Sequence, residues 1–118
     1  MKVCKMDKEA AYFKILSDAT RLRLAVLLAM QGETCVCHLS AALAEPEYKI
    51  SRHLGIMRNG GIVQTRREGT WMYYQLSPSA NDLEVCLRSC FRTCFASHPT
   101  TKADLKRLSK AACTADNK

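Results

Sequence analysis

The feature that most restricts the fold is a change of period at Gly60-Gly61. Before it, apolar residues return at helical spacing. After it, residues 62–76, IVQTRREGTWMYYQL, turn to β-rich composition around a central REGT, where Gly69 supplies the positive φ of a tight hairpin turn. A helical half joined directly to an arginine-tipped hairpin leaves few architectures open.

Four helices are expected before that change. Asp7 to Leu16 places Ala10 and Phe13 on one side. A second helix from about Asp18 carries Leu22, Ala25, Val26 and Ala29 at i, i+3, i+4, i+7. With Leu24, Leu27 and Leu28 it is apolar nearly all round and should be buried, and Gly32 is placed to stop it. A third helix starts at Thr34 as N-cap and carries Val36, Leu39 and Leu43 until AEPE interrupts it. Pro46 suits the first turn of a fourth, lined by Ile50, Leu54 and Met57 and ended by Gly60 and Gly61. After SPSAND a longer helix runs from about Asp82 to Ala96, and a last short one from Thr101 to about Ala112 opens with TKAD, a variant capping box. The expected fold is mainly α with a β-hairpin wing, a winged helix-turn-helix in the order α-α-α-α-β-β-α-α. It forms one domain over residues 1–118 with a frayed tail at 113–118.

Eighteen Lys and Arg against eleven Asp and Glu leave +7 over 118 residues, which fits a polyanionic partner. The longest apolar run, LAVLLAM, falls short of the roughly 20 residues of a membrane span. The N-terminus MKVCKMDKEAAYF has no signal-peptide core. A cytoplasmic protein without a membrane partner is the expectation. KISRHL by itself would pass for a solvated helix face. Set between a helix break and an arginine-tipped hairpin, it reads instead as a helix for the major groove of double-stranded DNA, whose width admits one α-helix. Ser51, Arg52 and His53 can reach base edges or phosphates, and Lys49, Arg66, Arg67 and Thr70 are better placed for the backbone.

Seven cysteines, an odd number, argue against a simple disulfide framework and for reduced thiols engaged in metal or redox chemistry. With Thr34 as cap, Cys35 and Cys37 take the first and third helical positions and flank the apolar stripe, off the core-facing line. A helix N-terminus favours thiolate over thiol, and its first N–H groups have no intrahelical partner, so unwinding that turn around a thiophilic ion costs few hydrogen bonds. Cys86, Cys90 and Cys94 recur at i, i+4, i+8. They read either as a second ligand set or as small apolar members of a helix-to-helix dimer seam with Leu83, Leu87, Phe91 and Phe95. The spacing from Cys86 to Arg92 imitates an anion-cradling nucleophile loop. The segment has helical period and no glycine, so an enzyme is not expected.

The runs YFKILSDATRLRLAVLL, GETCVCHLSAAL, KISRHLGIMRNGGIV and REGTWMYYQLSP, across roughly residues 12–78, resemble the ArsR/SmtB family of winged-helix metal-responsive repressors, and within it the arsenic-sensing ArsR repressors. The resemblance implies a homodimer, built largely from the first and last helices (about 1–16 and 80–112), that binds inverted-repeat operator DNA without a cofactor and represses its own resistance operon. It implies an inducer, As(III) or Sb(III), held by Cys35, Cys37 and a third thiolate. The family's C-V-C-D-L-C reads CVCHLS here, with His38 for Asp and Ser40 for the third Cys. The third ligand then falls to Cys4 from the partner subunit, Cys86, Cys90, Cys94 or Cys113. Two-cysteine relatives make Cd(II) or Pb(II) alternative inducers, and a thiol redox switch is a further alternative. Asp82, Glu84 and His98 do not reproduce the ligand pattern of the zinc-sensing members.

Overall fold

The structure, a computed structural model, describes residues 6–111. The elements run α1 (Asp7–Leu16), α2 (Ala19–Gln31), β1 (Thr34–Cys35), α3 (Val36–Leu43), α4 (Glu47–Asn59), β2 (Val63–Glu68), β3 (Trp71–Leu76), α5 (Asp82–Cys94) and α6 (Pro99–Lys110). This is a winged helix-turn-helix, with one short strand more than expected.

Helix α2 is the central post. Asp18 caps it by accepting from the Arg21 N–H at 3.1 Å, and Leu24 to Leu28 are all buried. Around it Leu39, Ile50, Leu54, Met57 and Ile62 lose essentially all contact with solvent. The 3-4 spacing of Ile50, Leu54 and Met57 turns one face of α4 into this core. Truncating such a leucine costs about 2–5 kcal/mol, through lost transfer energy and the cavity left behind.

Helices α3 and α4 end in the same left-handed turn with different residues. Gly61, at φ 78°, follows α4, with the Ile62 N–H reaching Met57 O at 2.9 Å and the Gly61 N–H reaching Arg58 O at 3.0 Å. Ala44, at φ 57°, follows α3, with the Glu45 N–H on Ser40 O at 3.1 Å and the Ala44 N–H on Ala41 O at 3.2 Å. The alanine carries a Cβ where the conformation favours none. In the hairpin, Gly69 sits at φ 63°, as its place in REGT requires. Strands β2 and β3 pair from Val63↔Leu76 to Glu68↔Trp71.

Several boundaries differ from expectation. Thr34 does not cap α3. Its backbone is extended and pairs with Tyr74, Cys35 pairs with Tyr73, and α3 begins only at Val36. Two residues are too short to show an alternation, and their partner strand lies some forty residues on. The sheet order is β1-β3-β2. Helix α5 stops at Cys94. Helix α6 starts at Pro99, with the His98 ring accepting from the Thr100 N–H, so TKAD lies inside the helix and forms no capping box. Pro at N1 outweighs the later threonine as a start signal.

Asp104 of that segment is buried between two arginines instead. Arg23 of α2 reaches it at 2.7 and 3.0 Å and Arg107 at 2.7 Å. Arg107 also donates to Ala42 O at 2.7 Å and Arg23 to Leu43 O at 3.4 Å, so the C-terminal end of α3 is tied to α2 and α6. Part of the apolar stripe of α5 packs within the chain. Phe91 is buried in the core, with Leu87 and Phe95 packed against it, and α5 lies on α2 of the same chain.

Candidate nucleic-acid interface and thiol turn

With Ile50, Leu54 and Met57 inward, α4 turns Ser51 and Arg52 outward. Tyr48, 73% exposed, stands one turn before them. Sequence reasoning missed Tyr48. Its spacing of i, i+3, i+4 with Ser51 and Arg52, opposite the apolar line, was the available signal. Lys49 is half-buried and paired with Glu45 at 3.2 Å. His53 is drawn into the protein: its Nδ1 accepts from Arg21 Nη1 at 3.1 Å and lies 3.9 Å from Asp18. Burial works against the Asp18 charge, but the Arg21 backbone N–H, the Arg21 guanidinium and His53 together hold its carboxyl below the usual range. His53 braces α4 on the start of α2.

The wing's two arginines have different surroundings. Arg66 is held by Glu33 at 2.8 and 2.9 Å and by Glu68 at 2.7 Å, with its guanidinium 4.7 Å from the centre of the Tyr73 ring. Hydrogen bonding to Glu33 and Glu68 raises its already high pKa. The hydrogen bond from Arg66 holds the Glu33 carboxyl below its ordinary value. Arg67 and Thr70 are exposed, and among the described residues Arg67 makes no ion pair. Arg66 thus joins β2 to the residue preceding β1, while Arg67 carries the wing's uncompensated charge.

The thiol turn follows directly. The Thr34 hydroxyl donates to Gly32 O at 2.9 Å. Cys35 is the N-cap residue of α3, in extended conformation and 2% exposed. The expectation that neither thiol faces the core fails for Cys35, because strand pairing with β3 rotates it inward. Cys37 is half-buried in the first turn of α3. Cys37 is disulfide-bonded, where reduced thiols were expected. The Ser40 hydroxyl donates to Glu45 O across the helix-turn-helix corner. The turn is therefore the N-terminal end of a helix whose other end is clamped, and the same short strand that carries it is hydrogen-bonded to the wing.

Cys86 and Cys94 are exposed on α5, Cys90 is half-buried, and all three are free thiols. Among the described residues no three His, Cys, Asp or Glu side chains converge as a metal-holding group. Cys4 and Cys113 lie outside the described residues. Glu84 accepts from the Ala80 N–H at 3.0 Å at the start of α5, and His98 caps α6, so both serve helix ends. No helix of the described residues is long and apolar enough to cross a membrane.

A helix-turn-helix whose second helix presents Tyr48, Ser51 and Arg52, followed by a hairpin with an exposed arginine, defines a DNA-binding regulator of the winged-helix class. The chain belongs to the arsR family of bacterial regulatory proteins, whose profile matches residues 18–65. It is 44% identical over 72 residues to an uncharacterized HTH-type transcriptional regulator of Methanocaldococcus jannaschii, a match spanning 61% of this chain and 81% of that one. It is 50% identical over 66 residues to the arsenical resistance operon repressor of Escherichia coli (strain K12), spanning 56% of each. The chain therefore matches little more than half the length of that repressor. Among solved structures it resembles the homodimeric winged helix-turn-helix DNA-binding domain of a possible ArsR-family regulator from Mycobacterium bovis. That likeness has a TM-score of 0.62 and 31% identity, covering 80% of this chain and 83% of that one.

Proposed function

We propose that the protein is a homodimeric repressor that binds operator DNA through α4 and the wing and is released when As(III) or Sb(III) binds the thiolates of Cys35, Cys37 and one further cysteine, controlling an arsenic-resistance operon. The observation that carries this reading is the thiol turn itself. Two cysteines occupy the N-terminal end of α3, Cys35 on a strand paired with the wing and Cys37 in the first helical turn, in a chain 50% identical over 66 residues to an arsenical resistance operon repressor.

The mechanism follows from that wiring. In the DNA-binding state Cys35 stays extended in β1, and Glu33 keeps Arg66 in place. An ion that needs both sulfurs favours a conformation in which the first turn of α3 opens. Its differential affinity for that state is what weakens DNA binding. The first N–H groups of a helix make no intrahelical hydrogen bond, so opening that turn in the reduced protein breaks few helical bonds. At the other end, Ala42 and Leu43 are held by Arg107 and Arg23. Ser51, Arg52 and Tyr48 meet base edges or phosphates, and Arg67, Thr70 and Lys49 follow the backbone. The outward Phe13 of α1 and Val85 of α5, 48% and 54% exposed, are offered as the dimer surface, a role the M. bovis relative's homodimer supports.

Cd(II) and Pb(II) are the alternative ions for this site, since Ser40 stands where a third thiolate would. A redox switch is the second reading, and the disulfide at Cys37 favours it. The test is fluorescence anisotropy of the reduced protein on DNA from upstream of its own gene, titrated separately with arsenite, antimonite, Cd(II) and peroxide. Release by arsenite or antimonite at the lowest concentration supports the proposal. Release by Cd(II) first, or only by peroxide, selects the corresponding alternative.

A further inference from the structure

We infer that Gly55 is a close-approach position for DNA: the sugar–phosphate backbone on one wall of the major groove seats against the bare helix there, between Arg52 and Arg58. Gly55 can do so only if α4 enters the groove as proposed above. The glycine then sets how closely the later turns of that helix approach the duplex.

Nothing within the chain asks for a glycine at this place. Gly55 lies inside α4 with ordinary helical backbone, where glycine is less stable than alanine. The other glycines have internal causes. Gly32, Gly61 and Gly69 take positive φ, and a Cβ at Gly60 would strike the Ile15 side chain. A Cβ built on Gly55 meets no atom within 4 Å. With neither conformation nor packing requiring the missing side chain, the demand comes from outside, and a glycine lets a ligand come close to the backbone.

The surroundings of Gly55 identify that ligand. On the face opposite Ile50, Leu54 and Met57, Ser51 and Arg52 stand one turn before Gly55, and Arg58 and Asn59 one turn after it. All four are exposed, and among the described residues neither arginine makes an ion pair. The segment from Arg52 to Asn59 contains no acidic residue. Two uncompensated guanidinium groups on either side of a gap in the side chains complement a row of phosphates.

Helix length agrees with this placement. The 13 residues of α4 span about 20 Å, whereas the major groove is about 12 Å wide. With Tyr48, Ser51 and Arg52 of the early turns at the bases, the later turns must cross the groove wall. Gly55 lies about 6 Å along the axis beyond Ser51, half the width of the groove. A side chain there would hold the helix off the wall and draw both arginines away from their phosphates.

The experiment measures binding of the reduced full-length protein to duplex DNA from upstream of its own gene and to an unrelated duplex, by anisotropy over a range of salt concentrations, beside thermal unfolding. Gly55→Ala should raise Tm by about 2–5 °C and yet weaken binding to both duplexes, a pair of signs that a structural glycine does not give. Gly55→Leu should weaken binding roughly tenfold or more and flatten the slope of log K against log salt by about 1–2, the share of two phosphate contacts. Arg58→Gln should flatten that slope by about 1. Arg52→Gln is the control for α4 itself. Wild-type affinity and salt slope in Gly55→Leu while Arg52→Gln weakens binding would overturn the proposal and leave α4 as the DNA helix. A lowered Tm in Gly55→Ala would also overturn it, by showing an internal need for the glycine. Unchanged binding in Arg52→Gln as well would overturn the reading of α4 together with it.

Discussion

The two ends of α3 are built oppositely. The C-terminal end is held by Arg107 and Arg23, both anchored on the buried carboxylate of Asp104, and by the Ser40 hydroxyl on Glu45 O. The N-terminal end has no side-chain cap; it continues from a two-residue strand and carries the disulfide of Cys37. One end is fixed by ion pairs and the other by strand pairing and a disulfide, so in the proposed mechanism reduction and ion binding at the N-terminal end act on what the strand touches, the wing.

The largest effect is expected at Asp104. Asp104→Ala should destabilise the protein by about 3 kcal/mol, since it strands two guanidinium groups and empties a buried position. For a domain of this size that lowers Tm by roughly 10–15 °C in thermal unfolding. If the loss is no larger than that of Thr34→Val, the C-terminal end is not the firm one. At the corner beyond it, Ala44→Gly should stabilise by about 1 kcal/mol, because a left-handed alanine gives up its Cβ clash while the hydrogen bonds of the turn stay. Urea unfolding reads this directly, and a destabilised variant would mean the turn is not held as described.

At the N-terminal end the expected effects are smaller. Thr34→Val keeps the shape but loses the hydroxyl's bond to Gly32 O, at a cost of about 1 kcal/mol or less. A double-mutant cycle with Asp104→Ala should show the two changes to be independent. The tie from Glu33 to Arg66 is the weakest, being exposed, and it has a pH signature. Its carboxyl titrates below the ordinary 4.5, so any stability it lends is complete above that pH and disappears as pH falls through the depressed folded-state value. The Tm difference between wild type and Glu33→Gln should therefore persist from pH 8 to pH 5 and vanish in stronger acid. A difference that instead grew on acidification would contradict the pairing.

Much of the fold was legible because it rests on local signals. Gly61 and Gly69 mark their turns by conformation, the 3-4 spacing of Ile50, Leu54 and Met57 sets the buried face of α4, and an all-apolar α2 can only be central. What escaped was non-local. Strand β1 exists because Tyr73 and Tyr74 lie beside it. The burial of Cys35 follows from that pairing, and Asp104 reads as a surface acid until Arg23 and Arg107 are brought around it. The candidate site divides the same way. Ser51, Arg52, Arg67 and Thr70 stand outward as the pattern required. His53 and Arg66, equally cationic in sequence, are turned to internal partners that no spacing rule names. The stripe from Leu83 to Phe95 keeps the expected period, and its Leu87, Phe91 and Phe95 meet the chain's own core, since periodicity tells which face is apolar and not what covers it.

If the N-terminal end of α3 governs DNA binding, anisotropy of operator DNA should show it as arsenite is added to reduced wild type, Cys35→Ser and Cys37→Ser. All three proteins should bind DNA with affinities within a few-fold of one another, and arsenite should release only the wild type. Release of either variant at the wild-type arsenite concentration would contradict it and move the sensor away from the thiol turn.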